Sequence, residues 1–244
     1  MHMIVSRFLR VFLLTGLAAV SFGSAITALA TEERLLALQY DVTGKRLFKI
    51  EANQLFQRAD EGMTWNAIPL PEDVNEGQLR AVSVPSTDPQ ALYIAGPSIG
   101  VQRSTDNGET WQELSANLPS REVTALAVHR RQNETLYAVI EEDGIYQSED
   151  AGTTWKKMDS GPSQKINRLV HSDMEGSMQT GWLYGVSDDA VRLSMDCFCG
   201  WRPEHLMLAA SMMWLIALAT QSESMWLHSK DYGVVKRVVK SGNK

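Results

Sequence analysis

The sequence predicts an all-β fold, a β-propeller of five four-stranded blades preceded by an N-terminal hydrophobic helix. Three observations predict it. A turn motif, Ser/Thr-x-Asp-x-Gly-x-x-Trp, recurs with aspartates at 60, 106, 150 and 196, in steps of 46, 44 and 46 residues. Short apolar runs fall in groups of four between these turns. An uncharged stretch of 20 residues, 11–30, stands apart from the repeats. Self-similarity at such a period is the mark of a repeat architecture, and four short strands per repeat point to propeller blades.

Two copies of the motif are complete, Ser104-Thr-Asp106-Asn-Gly108-Glu-Thr-Trp111 and Ser148-Glu-Asp150-Ala-Gly152-Thr-Thr-Trp155. Arg58 replaces the leading hydroxyl in the copy holding Asp60, Gly62 and Trp65. The copy with Asp196 and Trp201 loses the glycine two after the aspartate, and a weaker fifth copy, at Asp231, lacks the tryptophan. Each part has a structural role in a hairpin. The Asp accepts hydrogen bonds from backbone amides one to three residues on, Gly supplies a positive φ, and Trp lays its indole over the hairpin. A catalytic or metal-binding aspartate is the rival reading, but a catalytic residue is rarely needed five times.

The motif resembles the Asp-box of the BNR-repeat proteins, a group that includes sialidases, sortilin-type receptors, xyloglucanases and photosystem II stability/assembly factors. The likeness extends to Leu92-Tyr93 through Ser104 and to Leu136-Tyr137 through Ser148, and is sharpest over 80–160. The resemblance implies a propeller in which the Asp-box is structural. It leaves activity open, since the group spans hydrolases, receptors and assembly factors.

The repeats divide into five units. Unit one takes 35–42, 46–50, 55–58 and 64–68; unit two 79–84, 91–95, 101–104 and 110–114; unit three 123–128, 136–140, 145–148 and 154–158. Unit four takes 166–171, 182–186, 191–194 and a short run at Trp201; unit five 206–211, 214–219, 225–228 and 234–239. No low-complexity linker interrupts them, so residues 31–244 form one domain.

Residues 1–30 are a separate element. Arg7 and Arg10 precede the apolar core, which ends Ala28-Leu-Ala30. This describes a secretory signal peptide, and 20 such residues also suffice for an uncleaved anchor that touches the membrane. Charge on the N-terminal side puts the propeller in the periplasm or otherwise outside the cytoplasm in both cases.

A net charge of −6 and a pI of about 5.4 give no basis for nucleic-acid binding. Cys197 and Cys199 with a distant His171 or His205 make a weak metal pattern; thiols unpaired or bridged locally within a degenerate turn are the simpler reading, with no metal and no cofactor. The run 206–220 is uncharged and reads as strands, with Met212, Met213 and Trp214 a candidate apolar docking patch. In a propeller the second-to-third-strand loops gather opposite the Asp-box turns. Here they hold Glu51, Glu141, Glu142, Asp143, Asp188, Asp189 and Glu223, a candidate face for a protein partner.

The sialidase constellation of an arginine cluster, a Tyr–Glu pair and an acid Asp is not assembled: Arg80, Arg103, Arg121, Arg168 and Arg192 fall mostly within strands. The expectation is a non-catalytic, exported protein-binding scaffold, assembly factor or accessory subunit of a membrane complex. A glycan-binding or glycoside-hydrolysing sialidase-like propeller is the alternative.

Overall fold

In the computed structural model, residues 35–59, 61–72, 74, 79–163, 165–173, 181–188, 190–195, 197–198 and 200–203 are described, with the strands 213–218, 224–229 and 233–238. Asp60, Asp189, Asp196, Cys199, Met212, Glu223 and Asp231 lie outside them, as do 1–34 and the strand expected at 206–211. The chain divides into two units, Met1–Glu32 and Glu33–Lys244.

The described residues contain no helix and build a β-propeller. Blade 1 is β1 (Leu35–Asp41), β2 (Arg46–Glu51), β3 (Gln54–Ala59) and β4 (Asn66–Ile68). Blade 2 is β5 (Ala81–Ser83), β6 (Leu92–Gly96), β7 (Gly100–Ser104) and β8 (Gln112–Glu113). Blade 3 is β9 (Val123–Val128), β10 (Leu136–Ile140), β11 (Gly144–Ser148) and β12 (Lys156–Asp159). Blade 4 is β13 (Arg168–Ser172), β14 (Trp182–Val186), β15 (Val191–Met195) and β16 (Arg202–Pro203). Every blade is an antiparallel meander, so hairpins two-to-three and three-to-four open at opposite ends.

A fifth sheet follows, β17 (Met213–Leu218), β18 (Ser224–Ser229) and β19 (Gly233–Val238). Four four-stranded blades are therefore in place, and the expected four-stranded unit five is described as three strands. β17 packs beside β1 and β13, as β5 packs beside β1 and β9, which makes it a first strand. Its register differs from the expected one, in which 214–219 was the second strand of the unit. The three-residue link 230–232 has the length of the second-to-third hairpins at 97–99 and 141–143, whereas the Asp-box links span six or seven. Strand order thus gives no support for counting Asp231 with the Asp-box turns.

Sequence explains the layering. β6, β9 and β10 are buried along their whole length: β6 and β10 are middle strands covered by a blade on each side, and β9 is an inner strand packed against β5 and β13. The outer β8 and β12 carry Gln, Glu and Lys to solvent. The core lies between blades. One cluster joins Phe48 and Ile50 of blade 1 to Leu92 and Ile94 of blade 2. A second joins Tyr93 and Val101 to Leu126 and Leu136, and a third joins Tyr137 and Ile145 to Leu169 and Leu183.

Polar links cross the same seams. Arg46 of blade 1 donates to Asn107 at 2.9 Å and to the carbonyl of Pro89 in blade 2. Thr124 of blade 3 donates to the carbonyl of Ile166, which precedes blade 4, at 3.1 Å.

Candidate functional site

The two complete Asp-boxes are superimposable in their chemistry. Ser104 Oγ accepts the amides of Asp106 (3.2 Å) and Gly108 (2.8 Å) and donates to Asp106 Oδ1 (2.7 Å). Asp106 in turn accepts the Thr110 amide at 2.9 Å and the Thr110 hydroxyl at 2.6 Å. Ser148, Asp150, Gly152 and Thr154 repeat the pattern, with 2.8 Å for both the Gly152 and Thr154 amides. The Thr110 and Thr154 hydroxyls and amides, then the serine hydroxyls, hold both carboxyls down to about 2. Their lone pairs are consumed in the turn, so neither is placed to move a proton. The Glu109 and Thr153 amides, three residues on, are among the carboxylates' partners as the sequence predicts, and the threonine four residues on is the main one.

Two residues, not one, take positive φ in these turns: Asn107 (59°) with Gly108 (92°), and Ala151 (58°) with Gly152 (92°). The glycine has a second reason to be glycine. A Cβ on Gly108 would lie 2.2 Å from Ile68 Cγ2 of blade 1, and one on Gly152 would lie 2.7 Å from Leu114 Cδ1. Gly108→Ala is therefore expected to cost about 2–4 kcal/mol from backbone strain and overpacking together. Urea unfolding measures it; a cost below that of an ordinary surface change would show that Ile68 moves aside freely.

The tryptophan also faces the preceding blade, while the Trp111 ring still lies over its own turn, its Cζ2 3.4 Å from where a Gly108 Cβ would stand. Trp111 Nε1 donates to the Pro69 carbonyl at 2.9 Å, and Trp155 Nε1 to the Leu114 carbonyl at 2.8 Å. Trp201 Nε1 donates to Asp159 Oδ1 at 2.9 Å, although its turn has lost the regular motif. Each acceptor lies at or just past the outer strand of the blade before. Trp65 differs. Its ring packs against Leu38, Tyr40 and Leu47, under the Arg58 guanidinium (4.8 Å) and the Lys49 ammonium (5.0 Å).

In blade 4, Phe198 (φ 56°) and Gly200 (φ 127°) bend the altered turn, and Phe198 packs on Tyr137 with ring centres 6.0 Å apart. Cys197 is disulfide-bonded, so of the two readings for the thiols the bridged one holds. No group of ligand side chains able to hold a metal occurs among the described residues.

The opposite face carries the acidic loops, and most of its carboxylates have a partner. Glu51 pairs with Lys49, Glu141 with Lys165, and Asp143 with Lys157 while accepting the Tyr146 hydroxyl at 2.6 Å. Asp188 accepts the Asn167 amide at 2.8 Å. Glu142 is exposed at the tip of its hairpin. The Glu141 and Asp143 pairs are solvent-exposed and worth little each, so they exchange readily for other partners, while the Glu51 pair is half-buried. Beside them lies a cavity of about 350 Å³ between blade 3 and the link 160–166 that leads to blade 4. Val139, Ile145 and Ile166 give it an apolar wall, and Glu141, Glu142 and Asp143 a charged rim. Met213 and Trp214 of the expected apolar patch lie in β17, where only the strand is described.

The central mouth on this face was not foreseen. A cavity of about 390 Å³ there gathers Arg80, Lys165, Asn167 and Arg168 with Glu141 and Asp188. Arg168 reaches the Arg80 carbonyl across 88 residues of sequence. Two arginines that looked dispersed along strands thus converge, because each sits at the start of an inner strand. Among the described residues, no tyrosine lines this mouth.

Repeat, blade and seam together define an Asp-box, BNR-type propeller. The family described as Sortilin, neurotensin receptor 3, matches residues 99–203, less than half of the chain. No curated protein matches the sequence. Among solved structures, the chain is similar to one in a nidogen/laminin complex, at 9% identity and a TM-score of 0.62, covering 85% of this chain and 76% of that one. YCF48 bound to a D1 peptide aligns at 15% identity and a TM-score of 0.52, over 84% of this chain and 69% of that one. A GH74 enzyme of Niastella koreensis aligns at 15% identity and a TM-score of 0.58, over 86% of this chain but 36% of the enzyme. These likenesses establish the fold and include both binding proteins and enzymes.

Proposed function

We propose that the chain is a non-catalytic, exported propeller that binds protein, as a scaffold, an assembly factor or an accessory subunit of a membrane complex. The observation that carries this reading is the 350 Å³ cavity between blade 3 and the link 160–166. An apolar wall under a rim of exchangeable charge suits the insertion of one partner side chain. The described Asp-box carboxylates are spent inside their turns. The peptide-bound YCF48 has a similar fold, which supports peptide recognition on a propeller face. Residues 11–30 would direct export and, if retained, hold the domain beside a membrane.

The central mouth favours a second reading, glycan binding or hydrolysis, because Arg80 and Arg168 stand there with two carboxylates. One experiment separates the two. The tagged full chain is recovered from its native membranes in mild detergent, and bait and co-purified proteins are identified by mass spectrometry. Stoichiometric membrane proteins, lost when Ile145→Trp fills the cavity, support the scaffold. A bait that comes out alone, and that releases sugar from polysaccharide, overturns it.

A further inference from the structure

Where the inner strands reach the Asp-box side, three arginines meet two carboxylates. Asp41 is held by Arg46 at 3.0 Å, and it also accepts the Gly44 amide at 2.9 Å. Asp173 is held by Arg131 at 2.7 Å. Arg130 feels both carboxylates through space, but no hydrogen bond or ion pair of its guanidinium occurs among the described residues. Burial works against its charge. An arginine cannot relieve that cost by losing its proton, as a lysine can, so the charge calls for a counter-ion.

A small cavity adjoins it. Arg130 lines this space with Gln39, Ser83 and His171, one polar residue from each of the four complete blades. The remaining wall is the apolar lining of the inner strands, such as Val84, Val128 and Val170. Its volume, about 20 Å³, suits a single group the size of a water molecule. Ser83 Oγ already accepts the Val128 amide at 3.0 Å, which leaves its hydroxyl hydrogen to be donated. A cation, a hydroxyl donor and an amide around so small a space match an anion in both charge and size.

We propose that this cavity binds one chloride ion against the Arg130 guanidinium. The anion would tie together the ends of β1, β5, β9 and β13 and so brace the ring from its axis. The proposal is independent of the partner face on the opposite side.

Chloride-35 NMR line broadening on the full chain tests it, in sodium gluconate of constant ionic strength into which chloride is titrated. The expected result is saturable broadening that added acetate, too large for the cavity, leaves in place. It should be lost in Arg130→Gln and kept in Arg131→Gln, which removes the ion pair to Asp173 and leaves the Arg130 charge in place. Broadening that acetate abolishes would place the chloride at a larger, open site and overturn the proposal. A wild type with no saturable broadening overturns the proposal, as does equal broadening in Arg130→Gln. If that variant fails to fold, the wild-type titration decides alone, with thermal stability higher in chloride than in gluconate as the second readout.

Discussion

Trp155→Ala is expected to destabilise the propeller by about 3–5 kcal/mol, the usual range for truncating a packed tryptophan. The indole sits in the seam between blades 2 and 3, beside a cluster that includes Tyr93, Leu126 and Leu136. Trp155→Phe separates its two contributions. Phenylalanine keeps most of the packing and loses the hydrogen bond to the Leu114 carbonyl, for a cost of about 1 kcal/mol. The matching change in blade 1, Trp65→Phe, removes no described hydrogen bond and keeps a ring under Arg58 and Lys49. It should therefore cost less than Trp155→Phe. Chemical denaturation of the three variants decides the matter. Equal costs for Trp65→Phe and Trp155→Phe would show that the indole N–H contributes nothing to joining the blades.

That result bears on how the repeat works. Asp and Ser close the turn within one blade, while Gly and Trp fit it to the blade before. The motif is thus as much a coupling device as a turn. A sequence read alone reveals the local half, because Asp, Gly and the hydroxyls act within four residues of one another. The other half spans 41 or 42 residues, from Trp155 to Leu114 and from Trp111 to Pro69. That distance nearly equals the repeat itself, which is the signal that could have revealed it.

The strand assignments were legible for the same reason. β6, β7, β10 and β11 come from strong apolar runs bounded by Gly and Asp, and they fall within a residue of the expected positions. Unit five was misphased because 206–211 and 214–219 are equally apolar, and only packing against β1 marks β17 as a first strand. Candidate sites fared less evenly. The second-to-third hairpins that hold Glu51, Glu141, Glu142, Asp143 and Asp188 follow from the strand order, whereas Glu223 precedes the second strand of its sheet once β17 is a first strand. The Lys157 and Lys165 partners come from an outer strand and a neighbouring link that sequence does not align. Arg80 and Arg168 converge only because two inner strands begin at the same level around the axis. Sequence gives no hint of that convergence, nor of the buried histidines on the opposite side.

Those histidines make stability sensitive to acid. His171 is 2% exposed, and its ring centre lies 3.9 Å from that of His129. His171 Nδ1 accepts the Arg130 amide at 3.1 Å, and His129 Nδ1 accepts the amides of Arg131 and Gln132, both at 3.1 Å. A proton added at either Nδ1 would face an N–H, so both rings are held in the form protonated at Nε2. Burial first, then His129 and the Arg130 charge, push His171 down to about 3, against the partial pull of Asp173. The unfolded chain takes up a proton near 6.5, while the folded one does not. The neutral ring's contribution is therefore complete above pH 6.5 and falls away as pH drops toward 3, by about 1.4 kcal/mol per unit. Asp106 and Asp150, with carboxyls near 2, add a loss of the same sign only below their ordinary value of 3.8. Between pH 6.5 and 4.5 the wild type should thus lose about 2–3 kcal/mol through His171. In His171→Asn, whose side-chain oxygen can still accept the Arg130 amide, that slope should flatten even if the variant starts from lower stability. Melting curves across this window test it. Parallel slopes for the two proteins would mean that the imidazole takes up its proton without disturbing the seam between blades 3 and 4.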